Sequence, residues 1–131
     1  MQQVVIDMDN IKNLSPGTLA FVGDAVYGLM VREHLSKINR PAGELHAMSV
    51  KYVNATAQAK AFKVIEPILT EDELNIFKRG RNLHTNNVPK NSTPGEYHTA
   101  TGFECLFGFL HLSGKSERAR EIFTEVLKAI E

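Results

Sequence analysis

Two acidic side chains stand alone in apolar sequence. Asp24 lies in Leu19-Ala20-Phe21-Val22-Gly23-Asp24-Ala25-Val26, and from Ser15 to Val31 the only ionisable groups are Asp24 and Tyr27. Glu104 lies in Ala100-Thr101-Gly102-Phe103-Glu104-Cys105-Leu106-Phe107-Gly108 and is the only acid between Tyr97 and Ser116. A carboxylate in such surroundings is costly unless it is paired, hydrogen-bonded or bound to a metal. One turn either side of Asp24 are Ala20, Phe21, Tyr27 and Gly28, none of them a counter-charge. Small residues flank both acids: Gly23, Ala25 and Gly28 in one stretch, Ala100, Gly102 and Gly108 in the other. If two helices cross at those glycines, the acids face each other. Two carboxylates in a low-dielectric site repel, and one is protonated unless a cation is shared. Oxygen donors alone select a hard divalent ion, Mg²⁺ or Mn²⁺. Such an ion can activate water and offset charge on the leaving oxygen of a phosphodiester. In the plainer alternative, each acid is tied by hydrogen bonds in the core or reaches solvent at a helix edge. The residues alone leave both readings open.

The elements that must position these acids read as helices throughout. Ser15 is a good N-cap and Pro16 suits the first helical position, so a helix is expected from Ser15 to about Lys37. It is apolar on nearly every side, which places it in a core. Asn39-Arg40-Pro41 ends it. A second helical region runs from Pro41 to about Ile65, with Leu45, Met48, Tyr52, Ala55, Ala59 and Phe62 at helical spacing and Asn54 as an internal break. Thr70-Glu71-Asp72-Glu73 is a capping box for a helix ending near Gly80 to Asn82. Residues 82 to 95 are rich in turn formers and predict a long loop, a feature often tied to function. A strongly apolar helix follows from about Gly95 to Leu112, closed by Ser113-Gly114. Ser116 is expected to cap a last amphipathic helix to Ile130. Before Ser15, Val4, Val5, Ile6, Ile11 and Leu14 are candidate packing anchors. The fold class is all-α, in a single domain over residues 1–131.

The 131 residues suit one domain with one core. With 43% hydrophobic and 23% charged residues, the composition is that of a soluble globular protein. A lone Cys105 excludes an internal disulfide framework and fits a reducing compartment. No signal peptide and no run long enough to span a bilayer is evident, so a cytoplasmic location away from membranes is expected. The formal net charge is +0, yet the charges are unevenly spread. Lys78, Arg79, Arg81 and Lys90 lie between Glu73 and Glu96 with no acid among them, so a neutral chain can still carry a basic face. Lys51, Lys60 and Lys63 read as plain surface charges. The five histidines form no metal motif, and Cys105 reads as a core residue.

Leu19-Ala20-Phe21-Val22-Gly23-Asp24-Ala25 resembles the signature helix of ribonuclease III, whose pattern is Leu-Glu-Phe-Leu-Gly-Asp-Ala. Phe103-Glu104-Cys105-Leu106-Phe107-Gly108 resembles that family's second acidic helix, and Gly43-Glu44-Leu45-His46 extends the likeness. Phe77-Lys78-Arg79-Gly80-Arg81-Asn82, Pro89-Lys90-Asn91 and Ala100-Thr101-Gly102-Phe103-Glu104 resemble the Mini-III branch. The sequence stops at Glu131, before the place of the C-terminal double-stranded-RNA-binding domain of ordinary ribonuclease III, another likeness to that branch. The resemblance implies a ribonuclease III catalytic-domain-like helical fold. It also implies a homodimer that cuts both strands of double-stranded RNA, leaving 5′-phosphate and 3′-hydroxyl ends. Asp24 and Glu104 would be the catalytic and metal-binding residues, with Mg²⁺ as cofactor and Mn²⁺ able to substitute. RNA contact would fall to Lys78, Arg79, Arg81, Lys90 and Asn91, reading phosphates and 2′-hydroxyls rather than sequence. Precursor large-subunit (23S) rRNA is the implied substrate.

The chain departs from the family's pattern at three places. Gly17 and Ala20 stand seven and four residues before Asp24, where glutamates are usual. Thr101 stands three residues before Glu104 in place of an aspartate. Further metal ligands must therefore come from water, RNA phosphate or a polar group such as Thr101. The missing acids leave open a non-catalytic double-stranded-RNA or ribosome-binding module on the same fold. The neutral charge leaves open a helical dimerisation module without an RNA role.

Overall fold

A computed structural model describes residues 8–83 and 92–131. Seven α-helices make up the described part, with no strand among the described residues: α1 (Met8–Lys12), α2 (Pro16–Ser36), α3 (Ala42–Val53), α4 (Ala55–Ile65), α5 (Glu71–Arg81), α6 (Pro94–Leu112) and α7 (Ser116–Ile130). A 3₁₀ turn, Glu66–Ile68, joins α4 to α5. The all-α expectation holds. Val4, Val5, Ile6 and the middle of the expected 82–95 loop lie outside the described residues.

The helix ends follow local chemistry. The Ser15 hydroxyl accepts from Thr18 N–H at 3.2 Å, and Pro16 takes the first helical position. Asn54 serves two helices at once: its Nδ2 donates to the Val50 carbonyl at 2.9 Å, and its Oδ1 accepts from Ala57 N–H at 2.8 Å. The expected break therefore falls there. Thr70 and Glu73 close the capping box of α5. A second box that the sequence reading overlooked, Thr93 with Glu96, starts α6. Ser116 proves to be the first residue of α7 rather than its cap; Lys115 precedes it without a side-chain cap.

Helix α6 is the buried axis. Phe103, Cys105, Leu106, Phe107, Phe109 and Leu110 are all fully enclosed, and α2, α4, α5 and α7 pack around it. Its two closest neighbours approach at glycines. A Cβ on Gly23 would run into the Glu104 carbonyl, and one on Gly108 would strike the Leu19 carbonyl. On the other side, a Cβ on Gly80 would sit 2.8 Å from Gly102 Cα. Helices α2, α5 and α6 thus touch backbone to backbone. Gly28 is different, with open space around it.

The expectation that α2 is buried on all sides is corrected. Leu19, Gly23, Tyr27, Val31 and Leu35 face the core, but Phe21 is 81% exposed and Leu29 58%. These two lie eight residues apart, with Asp24, Ala25 and Gly28 between them on the same stripe. Apolar composition all round α2 therefore reflects two apolar faces, of which the described chain covers one.

A second buried acid shows how the fold handles a carboxylate that is purely structural. Glu73 is 4% exposed. Arg118 grips it with Nε and Nη2, each at 2.9 Å, and Glu73 Oε1 also accepts from Thr70 N–H at 2.9 Å. Burial alone would raise its pKa, but the Arg118 and Thr70 hydrogen bonds outweigh burial and hold the carboxyl below its usual range.

Two outcomes are expected. Gly23→Ala should destabilise the fold by about 3 kcal/mol, because two backbones must separate, whereas Gly28→Ala should be neutral or stabilising by up to ~1 kcal/mol; denaturant titrations compare them. Glu73→Gln should cost about 3 kcal/mol at pH 7. A lowered folded pKa means that the carboxylate's contribution is present above the unfolded value, ~4.3, and lost as pH falls through the folded one. The gap between wild type and Glu73→Gln should therefore close below about pH 4. A gap independent of pH would mean that the charge itself contributes nothing.

Candidate active site

Asp24 and Glu104 are neighbours because Gly23 and Gly108 are. Asp24 follows the glycine that meets the Glu104 carbonyl, and Glu104 lies one helical turn before Gly108 on the facing helix. Their environments differ. Asp24 is exposed at the edge of α2, and Glu104 is half-buried beneath it. The prospect of a buried Asp24 is thereby corrected: the more enclosed acid is Glu104.

Two carboxyl groups so placed disfavour double ionisation. Burial, then the hydrogen bond and charge of Asp24, push the Glu104 carboxyl up to about 8. Glu104 therefore holds its proton to higher pH than an ordinary carboxyl. The contrast with Glu73 is direct. That acid has an arginine fork; Glu104 has a second acid.

Helix α4 adds a third polar side chain that the sequence reading missed. Gln58 is 2% exposed. Its Nε2 donates to the Val53 carbonyl at 3.0 Å, and its amide also faces the Glu104 carboxyl, where it favours the ionised form. Its Oε1 has no partner. The clue lay in the spacing: Gln58 sits three residues after Ala55 and four before Phe62, on the apolar stripe of its helix. Thr101, by contrast, donates its hydroxyl to the Tyr97 carbonyl of its own helix at 3.0 Å.

The site residues present fit a hard divalent cation by their chemistry. Asp24 and Glu104 both offer carboxylate oxygens, and a Mg²⁺ site commonly rests on one or two carboxylates with substrate oxygens and water completing it. Among the described residues, no group of three His, Cys, Asp or Glu side chains converges. Cys105 is a core residue as expected, its thiol 3.0 Å from the Pro16 carbonyl and pushed up to about 12 by burial.

The basic residues separate into two kinds. Lys78 and Arg81 are exposed on the last turn of α5. Arg81 stands 5.7 Å over the Phe77 ring and borders a surface groove with Lys60 and Lys63 of α4. Those two lysines, read as isolated surface charges, thus join a basic group, although Glu66 and Glu96 line the same groove. Arg79 is the exception among the expected RNA contacts. Its Nη1 and Nη2 donate to the Lys12 and Leu14 carbonyls at 2.6 and 2.8 Å. A guanidinium committed to two backbone carbonyls clamps the α1–α2 connection to α5, which gives it a structural role that Lys78 and Arg81 do not have. Lys90 and Asn91 lie outside the described residues.

The described residues form a seven-helix domain with α6 at its axis and an acidic pair at the edge of the glycine-lined α2–α6 crossing. The comparisons with known proteins agree. The model of the ribonuclease III domain family matches residues 17–115, and the chain belongs to the ribonuclease III family. Within it, the chain is similar to the Mini-ribonuclease 3 of Thermoanaerobacter sp. (strain X514), at 42% identity over 128 residues, 97% of this chain and 90% of the relative. It is likewise 42% identical to the Mini-ribonuclease 3 of Brevibacillus brevis over 133 residues, 100% of this chain and 98% of the relative. A crystal structure of a Fusobacterium nucleatum protein superposes with a TM-score of 0.82 at 32% identity, covering 91% of this chain and 96% of that one. The Mini-III resemblance read from the motifs is thus borne out, and the chain stands among the endoribonucleases of its family.

The separation of basic residues is open to measurement. Arg79→Ala should lower thermal stability while leaving the salt dependence of RNA binding unchanged. Lys78→Ala with Arg81→Ala should leave stability near wild type and reduce the slope of log affinity against log salt by about 2. The reverse assignment of effects would move the RNA surface elsewhere.

Proposed function

We propose that the chain is a divalent-metal-dependent endoribonuclease that cuts both strands of double-stranded RNA as a homodimer. Its products carry 5′-phosphate and 3′-hydroxyl ends, and its substrate is precursor 23S rRNA in the cytoplasm. One observation carries this reading: a half-buried Glu104 whose nearest ionisable partner is the acid Asp24. A half-buried carboxyl set beside a second acid lacks a counter-charge of its own, whereas the fold shows with Glu73 that it can pair a buried acid with an arginine. The name that its relatives carry supports ribonuclease chemistry.

Asp24 and Glu104 would hold Mg²⁺, or Mn²⁺ in its place. When bound, such an ion would supply Lewis acidity toward the attacking water and the leaving 3′ oxygen of the phosphodiester. The chain's own residues set the geometry. Exposed Asp24 reaches the surface where a phosphate can approach, while Glu104 anchors the site from below. Lys78 and Arg81 would meet backbone phosphates along the duplex, and Lys90 and Asn91 are proposed to extend that contact. A-form RNA hides its base edges in a narrow major groove, so such contacts read shape rather than sequence.

The uncovered stripe of α2 supports the dimer. Burying Phe21 and Leu29 against a second copy would contribute about 2 kcal/mol for each side chain. Asp24 lies within that stripe, so a two-fold axis near it would bring two copies of the site to two antiparallel strands. Among the described residues no helix is long and apolar enough to cross a membrane.

The non-catalytic RNA-binding alternative draws on the absence of a three-residue ligand cluster among the described residues. A cleavage assay on a long RNA duplex separates the two. Wild type should cut in Mg²⁺ and stop in chelator. Asp24→Asn and Glu104→Gln should each slow cleavage by about a thousandfold, roughly 4 kcal/mol of transition-state stabilisation, with circular dichroism unchanged. Retardation of duplex RNA without cleavage, in both Mg²⁺ and Mn²⁺, would favour the alternative.

A further inference from the structure

We propose that Arg32 and His46 form a phosphate-binding subsite, in the groove between α2 and α3, for the RNA strand that runs past Asp24. The proposal rests on the nuclease reading above and deepens it by naming a contact that holds the strand beside the cut.

The groove follows from two helix stripes. On α2, Asp24, Gly28 and Arg32 recur every fourth residue and share a face. On α3, His46, Val50 and Val53 recur at helical spacing. All six line one groove with a volume of about 390 Å³. The eight positions from Asp24 to Arg32 span about 12 Å at the rise of an α-helix. Between them stands Gly28, where even a Cβ would meet nothing. The acid and the guanidinium therefore lie along one open track. Arg32 and His46 also border a second recess, of about 190 Å³, with Leu35 and Leu45. The two side chains thus converge from facing helices.

Both are exposed, and neither makes a hydrogen bond or ion pair with a described residue. Arg79 and Arg118 are different, since backbone carbonyls and Glu73 already hold them. Arg32 keeps its whole fork of donors, and His46 offers a ring N–H. Phosphate oxygens are the acceptors that match such a fork. Asp24 is the one acid among the groove's lining residues, and a bound divalent ion would offset it. Symmetry argues against a second copy as the occupant. The dimer proposed above covers Phe21 and Leu29. A two-fold copy laid over Arg32 and His46 as well would bring the same unpaired side chains against them. The strand would thus gain a hold from α2 and α3 besides that of Lys78 and Arg81 on α5.

Cleavage of a duplex RNA whose cut has been mapped tests this. The phosphates flanking the cut are replaced one at a time by an uncharged methylphosphonate, and sedimentation of each variant is measured alongside. Arg32→Ala should lower kcat/KM about 10-fold on unmodified RNA, with sedimentation and thermal melting as in wild type. Arg32→Lys should recover part of the loss. At one flanking position the methylphosphonate should slow wild type by a similar factor and slow Arg32→Ala no further. His46→Ala should lose rate on unmodified RNA and be less sensitive than wild type at that same position. Wild-type kinetics in Arg32→Ala, or equal sensitivity of the two proteins at every flanking phosphate, would overturn the subsite and leave the nuclease reading standing. Wild-type behaviour of His46→Ala would strike His46 from it. Dissociation of the assembly in Arg32→Ala would make the groove a contact between copies and overturn the proposal. A wild type that neither binds nor cuts duplex RNA would overturn the nuclease reading and this subsite with it.

Discussion

Close backbone contact between α2 and α6 is the constraint from which the rest of the structure follows. With Gly23 against the Glu104 carbonyl and Gly108 against the Leu19 carbonyl, no side chain separates the two helices. That proximity sets Asp24 and Glu104 against each other across the crossing. Like charges so placed must share either a proton or a cation. The Glu104 carboxyl is pushed up to about 8 by burial and by Asp24, so the doubly ionised pair is disfavoured. A cation that displaces the proton turns an electrostatic conflict into a binding site.

The molecule contains its own control. Glu73 is the most enclosed acid among the described residues, and it is fully answered by Arg118 and by the amide of Thr70. That arrangement lowers its pKa, ties α5 to α7 and asks for nothing from outside. Glu104 has the opposite environment: an acid on one side and an amide on the other, whose oxygen is itself unsatisfied. Two acids in one small fold with opposite shifts separate a structural carboxylate from one left open for chemistry. The outward stripe of α2 adds to this, because Phe21 and Leu29 leave apolar surface exposed beside the same acid.

Much of this was legible in the amino-acid order because helix ends are local events. Ser15, Asn54 and Thr70 place their caps within three residues, so caps and breaks could be read directly. The pairing of Asp24 with Glu104 was legible because glycines beside lone acids imply close helices. Sequence could not distinguish Gly23, which is wedged against backbone, from Gly28, which meets nothing; both look alike until the helix faces are assigned. For the same reason α2 looked wholly buried, when its second apolar face is open. Arg79 looked like its neighbours Lys78 and Arg81, because a guanidinium's partners are set by chain segments distant in sequence, here Lys12 and Leu14. Gln58 drew no notice in the sequence, although a polar residue on an apolar stripe is a signal that can be read.

The central claim is that the α2–α6 crossing holds a divalent ion between one exposed and one half-buried carboxylate. Anomalous diffraction from crystals of the chain soaked in Mn²⁺ tests it most directly. The account predicts a manganese peak within coordination distance of both the Asp24 and Glu104 carboxylates. A peak coordinated elsewhere, with neither of those side chains on it, would contradict it.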